Sequence, residues 1–377
     1  MLEKLKSNLS MKIIISGGGT GGHIYPAIAI ADALKRRDPL IDILFVGARG
    51  RMEMEKVPAA GYPIEGLWIS GLQRKLTWSN LMFPFKVAHS MWRCRSIIRI
   101  FKPDVVVGVG GYASGPLVHV ASRMGIPSVL QEQNSYPGIT NKMLAGKASK
   151  ICVAYPGMEK YFPADKILFT GNPMRSQLGT PTSRRDAAEM FGLDPEKKTI
   201  LAVGGSLGAR TINETIQKSY DQISDRQDIQ VLWQIGKLYA TQNLDSPVAR
   251  LGNVRPFVFI DRMDMAYALA DVVMARAGAM TISELCLTGK ASVLVPSPYV
   301  AEDHQTHNAM SLVQLHAARL VPDAEAPAKA FTEALRLMDH PEERAQLETE
   351  SRKLGRPHAA DEIAEIIIHS VQSGKRS

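Results

Sequence analysis

The stretch MKIIISGGGTGGH, Met11 to His23, sets three isoleucines ahead of five glycines packed into the eight residues from Ser16 to His23. A short β-branched run reads as a strand, and the glycines read as a turn whose bare backbone N–H groups can reach an anion at a helix start. The same pattern returns in the second half, where Thr199 to Arg210 reads TILAVGGSLGAR. Two more glycine turns follow later strands, VGGYASGP at Val109 to Pro116 and ARAGAMTISE at Ala275 to Glu284. Any one of them could serve only to let a strand and a helix pack closely. Four together point to a chain that handles phosphate groups.

Outward from these turns, short β-branched runs alternate with longer amphipathic segments. The first half shows KIIIS, IDILFVG, DVVVGVG, PSVLQEQ, KICVAY and KILFTGN. Residues 178–198 are polar and contain prolines, and the alternation then restarts with TILAVGG, IQVLWQIG, FVFI, ADVVMARA and ASVLVPS. This alternation predicts an α/β protein of two doubly wound, Rossmann-like domains, with their binding loops facing one another across a cleft. The expected domains are 11–173 and 174–356, with an amphipathic helix at about 357–372 packing back on the first. Such an architecture is the GT-B arrangement of nucleotide-sugar glycosyltransferases, one domain holding an activated donor and the other an acceptor.

Composition bounds the function. The chain has 377 residues, 45% hydrophobic and 22% charged, with 45 Lys plus Arg against 37 Asp plus Glu and a net charge of +8. That balance favours an anionic partner: phosphorylated substrate, membrane surface or nucleic acid. Cys94, Cys152 and Cys286 lie far apart, which suggests neither a disulfide framework nor a zinc site and fits a reducing cytoplasm. The N-terminal MLEKLKSNLS lacks an apolar core and a small-residue cleavage site, so a secretory signal is not expected, and Met11 reads equally well as a start. The uncharged run Val105 to Ser122 is broken by Gly110, Gly111, Gly115 and Pro116, as a strand, loop and helix start would be.

Gly17, Gly19 and Gly22 also satisfy the dinucleotide fingerprint, so a nicotinamide-dependent oxidoreductase is the rival of a different class. It needs an acidic residue at the end of the second strand, and IDILFVGARG ends there in Arg49, an arginine suited only to a 2′-phosphate. No Lys-Ser/Thr pair follows any glycine turn, which disfavours a Walker nucleotidase, and no HExxH or CxxC supports a metal.

Eight motifs then occur in one order: GGTGGH (Gly18 to His23), GGYASGP (Gly110 to Pro116), QEQN (Gln131 to Asn134), TGNPMR (Thr170 to Arg175), GGSLGAR (Gly204 to Arg210), FIDRM (Phe259 to Met263), RAGAMTISE (Arg276 to Glu284) and EDHQTHNA (Glu302 to Ala309). In this order they resemble the bacterial N-acetylglucosaminyltransferases that complete lipid II, over about residues 11–310. The resemblance implies transfer of N-acetylglucosamine from UDP-N-acetylglucosamine to the 4-hydroxyl of undecaprenyl-diphosphate-linked N-acetylmuramoyl-pentapeptide, lipid I. It implies inversion at the anomeric carbon, a place in peptidoglycan synthesis and so in cell shape and division, and no cofactor. A diacylglycerol glycosyltransferase is the alternative within glycosyl transfer.

By the same resemblance the second half holds the donor. Ser206 would lie against the diphosphate. Ala279, Met280, Thr281, Ile282 and Ser283 would form the helix start that faces it, with Thr281 adding a hydroxyl. Glu284 would accept from the ribose hydroxyls, its bland alternative being a capping carboxylate in the first helical turn. The backbone at Ile260 would read the uracil, His304 and Gln305 would face the sugar, and Arg175 would reach it from the interdomain side. Thr20, Gly21, Gly22 and Asn134 would complete the donor side, and Gly18, Gly110, Gly111 and Tyr112 the acceptor loops. His23 is the first candidate for the general base and Glu132 the alternative. Leu207 stands where related sequences carry glutamine, so any role there rests on backbone, and His304 replaces the first glutamine of a pair. A histidine there can make donor affinity depend on pH.

From Leu72 to Lys102 there are seven Lys or Arg and no Asp or Glu, interleaved with aromatic and aliphatic residues. Trp78, Phe83, Phe85, Lys86, Trp92 and Arg93 are the expected contact with anionic lipid, partly shared with packing on the sheet. A peripheral protein on the cytoplasmic side of the bacterial inner membrane is expected, with other cell-wall synthesis proteins as further partners and no nucleic acid.

Overall fold

The computed structural model describes residues 10–71, 82–174, 178 and 182–374. The chain divides into two compact units, 1–175 with 358–377, and 176–357. Each is built on one all-parallel sheet.

The sheet of the first unit has seven strands: β1 (Lys12–Ser16), β2 (Asp42–Ala48), β3 (Ile64–Leu67), β4 (Val105–Gly108), β5 (Ser128–Glu132), β6 (Lys150–Val153) and β7 (Ile167–Phe169). They run in the order β3-β2-β1-β4-β5-β6-β7. The second unit has six: β8 (Lys198–Val203), β9 (Ile229–Gln234), β10 (Val254–Phe257), β11 (Val272–Ala275), β12 (Ala291–Leu294) and β13 (Arg319–Leu320), in the order β10-β9-β8-β11-β12-β13. In each sheet the first three strands build outward to one side and the fourth then pairs on the other side of the first, which is the doubly wound topology expected from the alternation of runs.

Continuous apolar runs make these strands because both faces of a parallel sheet are covered. Ile13 and Ile15 face a core shared with Val105, Val107 and the helices Gly21–Arg37 and Ala359–Gly374. Ile14 and Val106 face the opposite core with Cys94 and Ile97 of Phe83–Phe101 and Leu117 of Ser114–Arg123. The terminal helix Ala359–Gly374 is tied to the first helix by Arg36–Asp361 at 2.9 Å and by Arg37–Glu365.

Three strands depart from the sequence reading. β3 and β13 were not expected: IEGL carries a glutamate and a glycine, and Arg319–Leu320 is too short to show a period. The strand expected at FVFI lies earlier, at Val254–Phe257. Its Pro256 is tolerated because β10 is an edge strand that need not donate outward.

Candidate active site

The four glycine turns occupy equivalent places. The turns after β1 and β4 flank the point where strand order reverses in the first sheet, and those after β8 and β11 flank it in the second. At such a switch point adjacent loops diverge to opposite faces and leave a crevice outside the carboxyl ends of the strands.

In the first unit, Thr20 is extended (φ −144°, ψ 159°) and the helix Gly21–Arg37 starts just after it. The Thr20 hydroxyl lies 3.2 Å from Nδ1 of His23, so it fixes the imidazole instead of capping the helix. A Cβ at Gly110 would stand 2.9 Å from Nε2 of His23, so the missing side chain there makes room for the ring. Gly18 lies between the Glu53 carboxylate and Gly111, and a Cβ at Gly111 would meet the Gly18 carbonyl oxygen at 2.3 Å. Gly111 also has φ +84°. Gly111→Ala is therefore expected to destabilise the fold by about 2–4 kcal/mol, left-handed strain and overpacking together. Chemical denaturation checks this, and an unchanged midpoint would contradict the close approach.

Glu53 is a site residue that sequence reasoning missed. Its buried carboxylate accepts from the amides of Gly19 and Ala48, each at 3.0 Å, and so braces the first turn. Tyr112 is half exposed, and its ring covers Gly71.

Glu132 ends β5 and is only 2% exposed. One oxygen accepts from the amide of Asn134 at 3.0 Å and its side chain at 3.3 Å; the other accepts from the amide of Gly138 at 3.1 Å and the Asn141 side chain at 2.9 Å. Burial pushes its carboxyl pKa up, and these four donors oppose the rise. Around it Gln131 donates to Asn172 at 3.0 Å, Asn172 to the Gln133 carbonyl at 3.0 Å, and Gln133 to the Val109 carbonyl at 2.8 Å. The QEQN motif is thus a buried amide clamp behind the turn that carries Gly110. Arg175 lies outside the described residues.

In the second unit Ser206 and Leu207 are exposed at the tip of the turn after β8. The turn is closed by backbone contact: a Cβ at Gly208, which has φ +88°, would meet the Ile235 carbonyl oxygen at 2.2 Å. Buried Gln234, also missed from sequence, donates to the Gly205 carbonyl at 3.0 Å and accepts from the Ile260 amide at 2.9 Å. It holds two of the expected donor segments together, and it engages the Ile260 N–H.

Gly278 precedes the helix Ala279–Thr288, which puts Ala279, Met280 and Thr281 in the first turn. Ile282 is buried and Ser283 donates to the Ala279 carbonyl at 3.0 Å. Glu284 lies in the second turn, so it is no helix cap. The hydroxyl of Tyr267, a third missed residue, donates to Glu284 Oε2 at 2.8 Å. Burial first, and the Glu284 charge second, push the phenol well above its ordinary pKa, so it stays protonated and donates. His304 opens the helix His304–Val313, and the Gln305 side-chain oxygen accepts from the Ser297 amide at 2.8 Å. A cavity of about 700 Å³ beside this segment is lined by Arg210, Pro298, Tyr299, Asp303, Pro322 and Asp323 among others, and includes none of Ser206, Thr281, Glu284 or His304.

On the helix Phe83–Phe101, Phe85 is 66% and Trp92 67% exposed, while Phe83 is half-buried. Lys86 donates to the Ser70 hydroxyl at 3.0 Å and sits 5.9 Å over the ring of Trp68, itself 41% exposed and unforeseen from sequence. Arg93 pairs with Glu65 at 2.9 Å, so part of its charge is already matched. Trp78 lies outside the described residues. No helix among the described residues is long and apolar enough to cross a membrane.

Residues 13–153 match the glycosyltransferase family 28 N-terminal domain and residues 199–365 the family 28 C-terminal domain. The chain is 54% identical over 359 residues to the UDP-N-acetylglucosamine–N-acetylmuramyl-(pentapeptide) pyrophosphoryl-undecaprenol N-acetylglucosamine transferase of Parabacteroides distasonis, covering 95% of this chain and 97% of that protein. The protein of the same name from Bacteroides fragilis is 51% identical over 366 residues, covering 96% of each. Among solved structures, Acinetobacter baumannii MurG superposes with a TM-score of 0.75 at 28% identity, covering 95% of this chain and 99% of that one. A UDP-GlcNAc 2-epimerase from Neisseria meningitidis, at 14% identity and a TM-score of 0.69 over 95% of this chain and all of that one, shares the fold alone.

Proposed function

The chain belongs to the UDP-N-acetylglucosamine–N-acetylmuramyl-(pentapeptide) pyrophosphoryl-undecaprenol N-acetylglucosamine transferases of glycosyltransferase family 28, and from that premise we infer how its own residues perform the transfer. The enzyme moves N-acetylglucosamine from UDP-N-acetylglucosamine to lipid I, making lipid II for peptidoglycan synthesis. The observation that carries the residue assignment is the coincidence of all four glycine turns with the two sheet switch points.

In this reading the second unit holds the donor. The ribose hydroxyls donate to Glu284, whose carboxylate Tyr267 orients. The diphosphate lies on Ser206 and the first turn of Ala279–Thr288, with the hydroxyl of Thr281, where the helix dipole favours the charge that develops as UDP leaves. The uracil is read at the carbonyl side of Ile260, since its N–H is held by Gln234. Gln305 presents its amide nitrogen to the sugar beside His304, because its oxygen is engaged by Ser297.

The first unit holds the acceptor on the turns at Gly18 to Gly22 and Gly110 to Tyr112. Neutral His23 takes the proton of the acceptor 4-hydroxyl through Nε2, while Thr20 fixes Nδ1. The oxygen attacks the anomeric carbon from the face opposite the diphosphate, the bond to the β-phosphate oxygen breaks, and the product is a β1→4 link. Glu132 acts as the brace of the segment carrying Asn134, a role supported by four occupied acceptor positions.

A radiolabel transfer assay with UDP-N-acetylglucosamine and a short-chain lipid I analogue, with UDP-galactose as competing donor, tests the reaction. Selective transfer of N-acetylglucosamine is expected; its absence from folded protein supplied with phospholipid would refute the reading.

The contact with the cytoplasmic face of the inner membrane runs along Phe83–Phe101, supported by exposed Phe85 and Trp92 beside exposed Arg95 and Arg99. Binding to anionic vesicles is expected to fall several-fold from 0.1 to 0.5 M salt, and again on Arg95→Glu with Arg99→Glu, as surface charge is screened or reversed. Vesicle flotation measures it, and indifference to both changes would remove this surface.

A further inference from the structure

Arg276 has no part in the roles above, yet it stands two residues before the turn into Ala279–Thr288. Its side chain turns across the sheet. Nη1 donates to the Val295 carbonyl at 3.0 Å and the Pro296 carbonyl at 3.3 Å, and it pairs with Asp323. Both side chains are nearly buried, 12% and 17% exposed. One guanidinium therefore joins the chain where it leaves β11, β12 and β13. Val295 and Pro296 lead straight into Ser297, whose amide is held by Gln305. The bonds thus run from Arg276 to the residue assigned to the donor sugar.

The segment so anchored needs holding. Glu302 (φ 55°) and Asp303 (φ 50°) are consecutive non-glycine residues in the left-handed region just before His304. Such a conformation costs roughly 1–2 kcal/mol per residue and persists only where its surroundings impose it.

We propose that Arg276, held in place by Asp323, is a positioning residue that locks the sugar-binding segment 297–305 to the helix Ala279–Thr288 and thereby sets recognition of the donor's sugar, separately from its nucleotide. This rests on the donor reading given above. The nucleotide contacts have their own supports: Gln234 bonds to Gly205 and Ile260, and Tyr267 to Glu284. All three contacts are made by Nη1, one bond farther from the backbone than a lysine ammonium nitrogen, so lysine keeps the charge but falls short of the two carbonyls and the carboxylate.

The test uses the full-length enzyme and two readouts: kcat/KM for UDP-N-acetylglucosamine, and the inhibition constant of UDP, which lacks the sugar. Arg276→Lys and Asp323→Asn are each expected to lower kcat/KM about tenfold while UDP inhibition stays within about twofold, with the double variant no worse than either single one. A purely structural role would weaken both readouts together, and that result, or an unchanged kcat/KM, overturns the proposal. If Arg276→Lys does not fold, Asp323→Asn decides alone. Failure of UDP to inhibit the parent enzyme at all would refute the donor assignment itself, and this proposal with it.

Discussion

Glu284→Ala is expected to lower kcat/KM for UDP-N-acetylglucosamine by about two to three decades, with most of the loss in the donor KM. In the proposed donor site two ribose hydroxyls each lose a hydrogen bond to a charged acceptor, a net effect of about 1.5–3 kcal/mol apiece, and the lower half of that range gives two to three decades. Glu284 lies in the second turn of its helix, and the buried Tyr267 hydroxyl holds one of its oxygens at 2.8 Å. Tyr267→Phe removes only that hydroxyl. It is expected to raise the donor KM about tenfold and to narrow the preference for the ribonucleotide over its deoxyribose analogue, leaving kcat nearly intact. Glu284→Ala with an unaltered donor KM, in protein whose thermal midpoint matches the parent, would take the ribose away from this residue.

The second large effect is on turnover. His23→Ala is expected to lower kcat by about 10²–10⁴, the usual worth of a positioned general base, with donor binding little changed, since the proposed reading places the nucleotide on the second unit. Thr20→Val should give a smaller loss of the same kind, since it removes the hydroxyl 3.2 Å from Nδ1 and keeps the ring. Glu132→Gln is the informative contrast. It places an amide N–H₂ among four donors that face the carboxylate, so lowered thermal stability is expected alongside any loss of activity. Near-normal turnover in His23→Ala, with Glu132→Gln stable but inactive, would move the base to Glu132.

Much of this protein was legible before any coordinates. Strands β1, β4, β8 and β11 announce themselves because a strand buried on both faces carries a run of consecutive apolar residues. The glycine turns are equally local: Gly111 and Gly208 have positive φ and no room for a Cβ, a demand that falls on a single position. Four of the eight motifs that mark the family sit on those turns, so the fold class and the reaction could both be read. Edge strands are where the signal failed. β13 has two residues and β10 contains a proline, and neither needs the apolar period of a central strand.

The supports of the site were decided only by tertiary structure. Glu53 reaches Gly19 across 34 positions, Gln234 reaches Gly205 across 29, Tyr267 reaches Glu284 across 17, and Arg276 reaches Asp323 across 47. A carboxylate, amide, phenol or guanidinium in the linear chain does not state which strand end will lie beside it. Glu132 shows the same limit, since a glutamate at the carboxyl end of a strand suits a base or a brace equally well. Composition and period set what each element is. Strand order sets which groups meet, and a buried polar group must be satisfied by whatever the fold brings within about 3 Å.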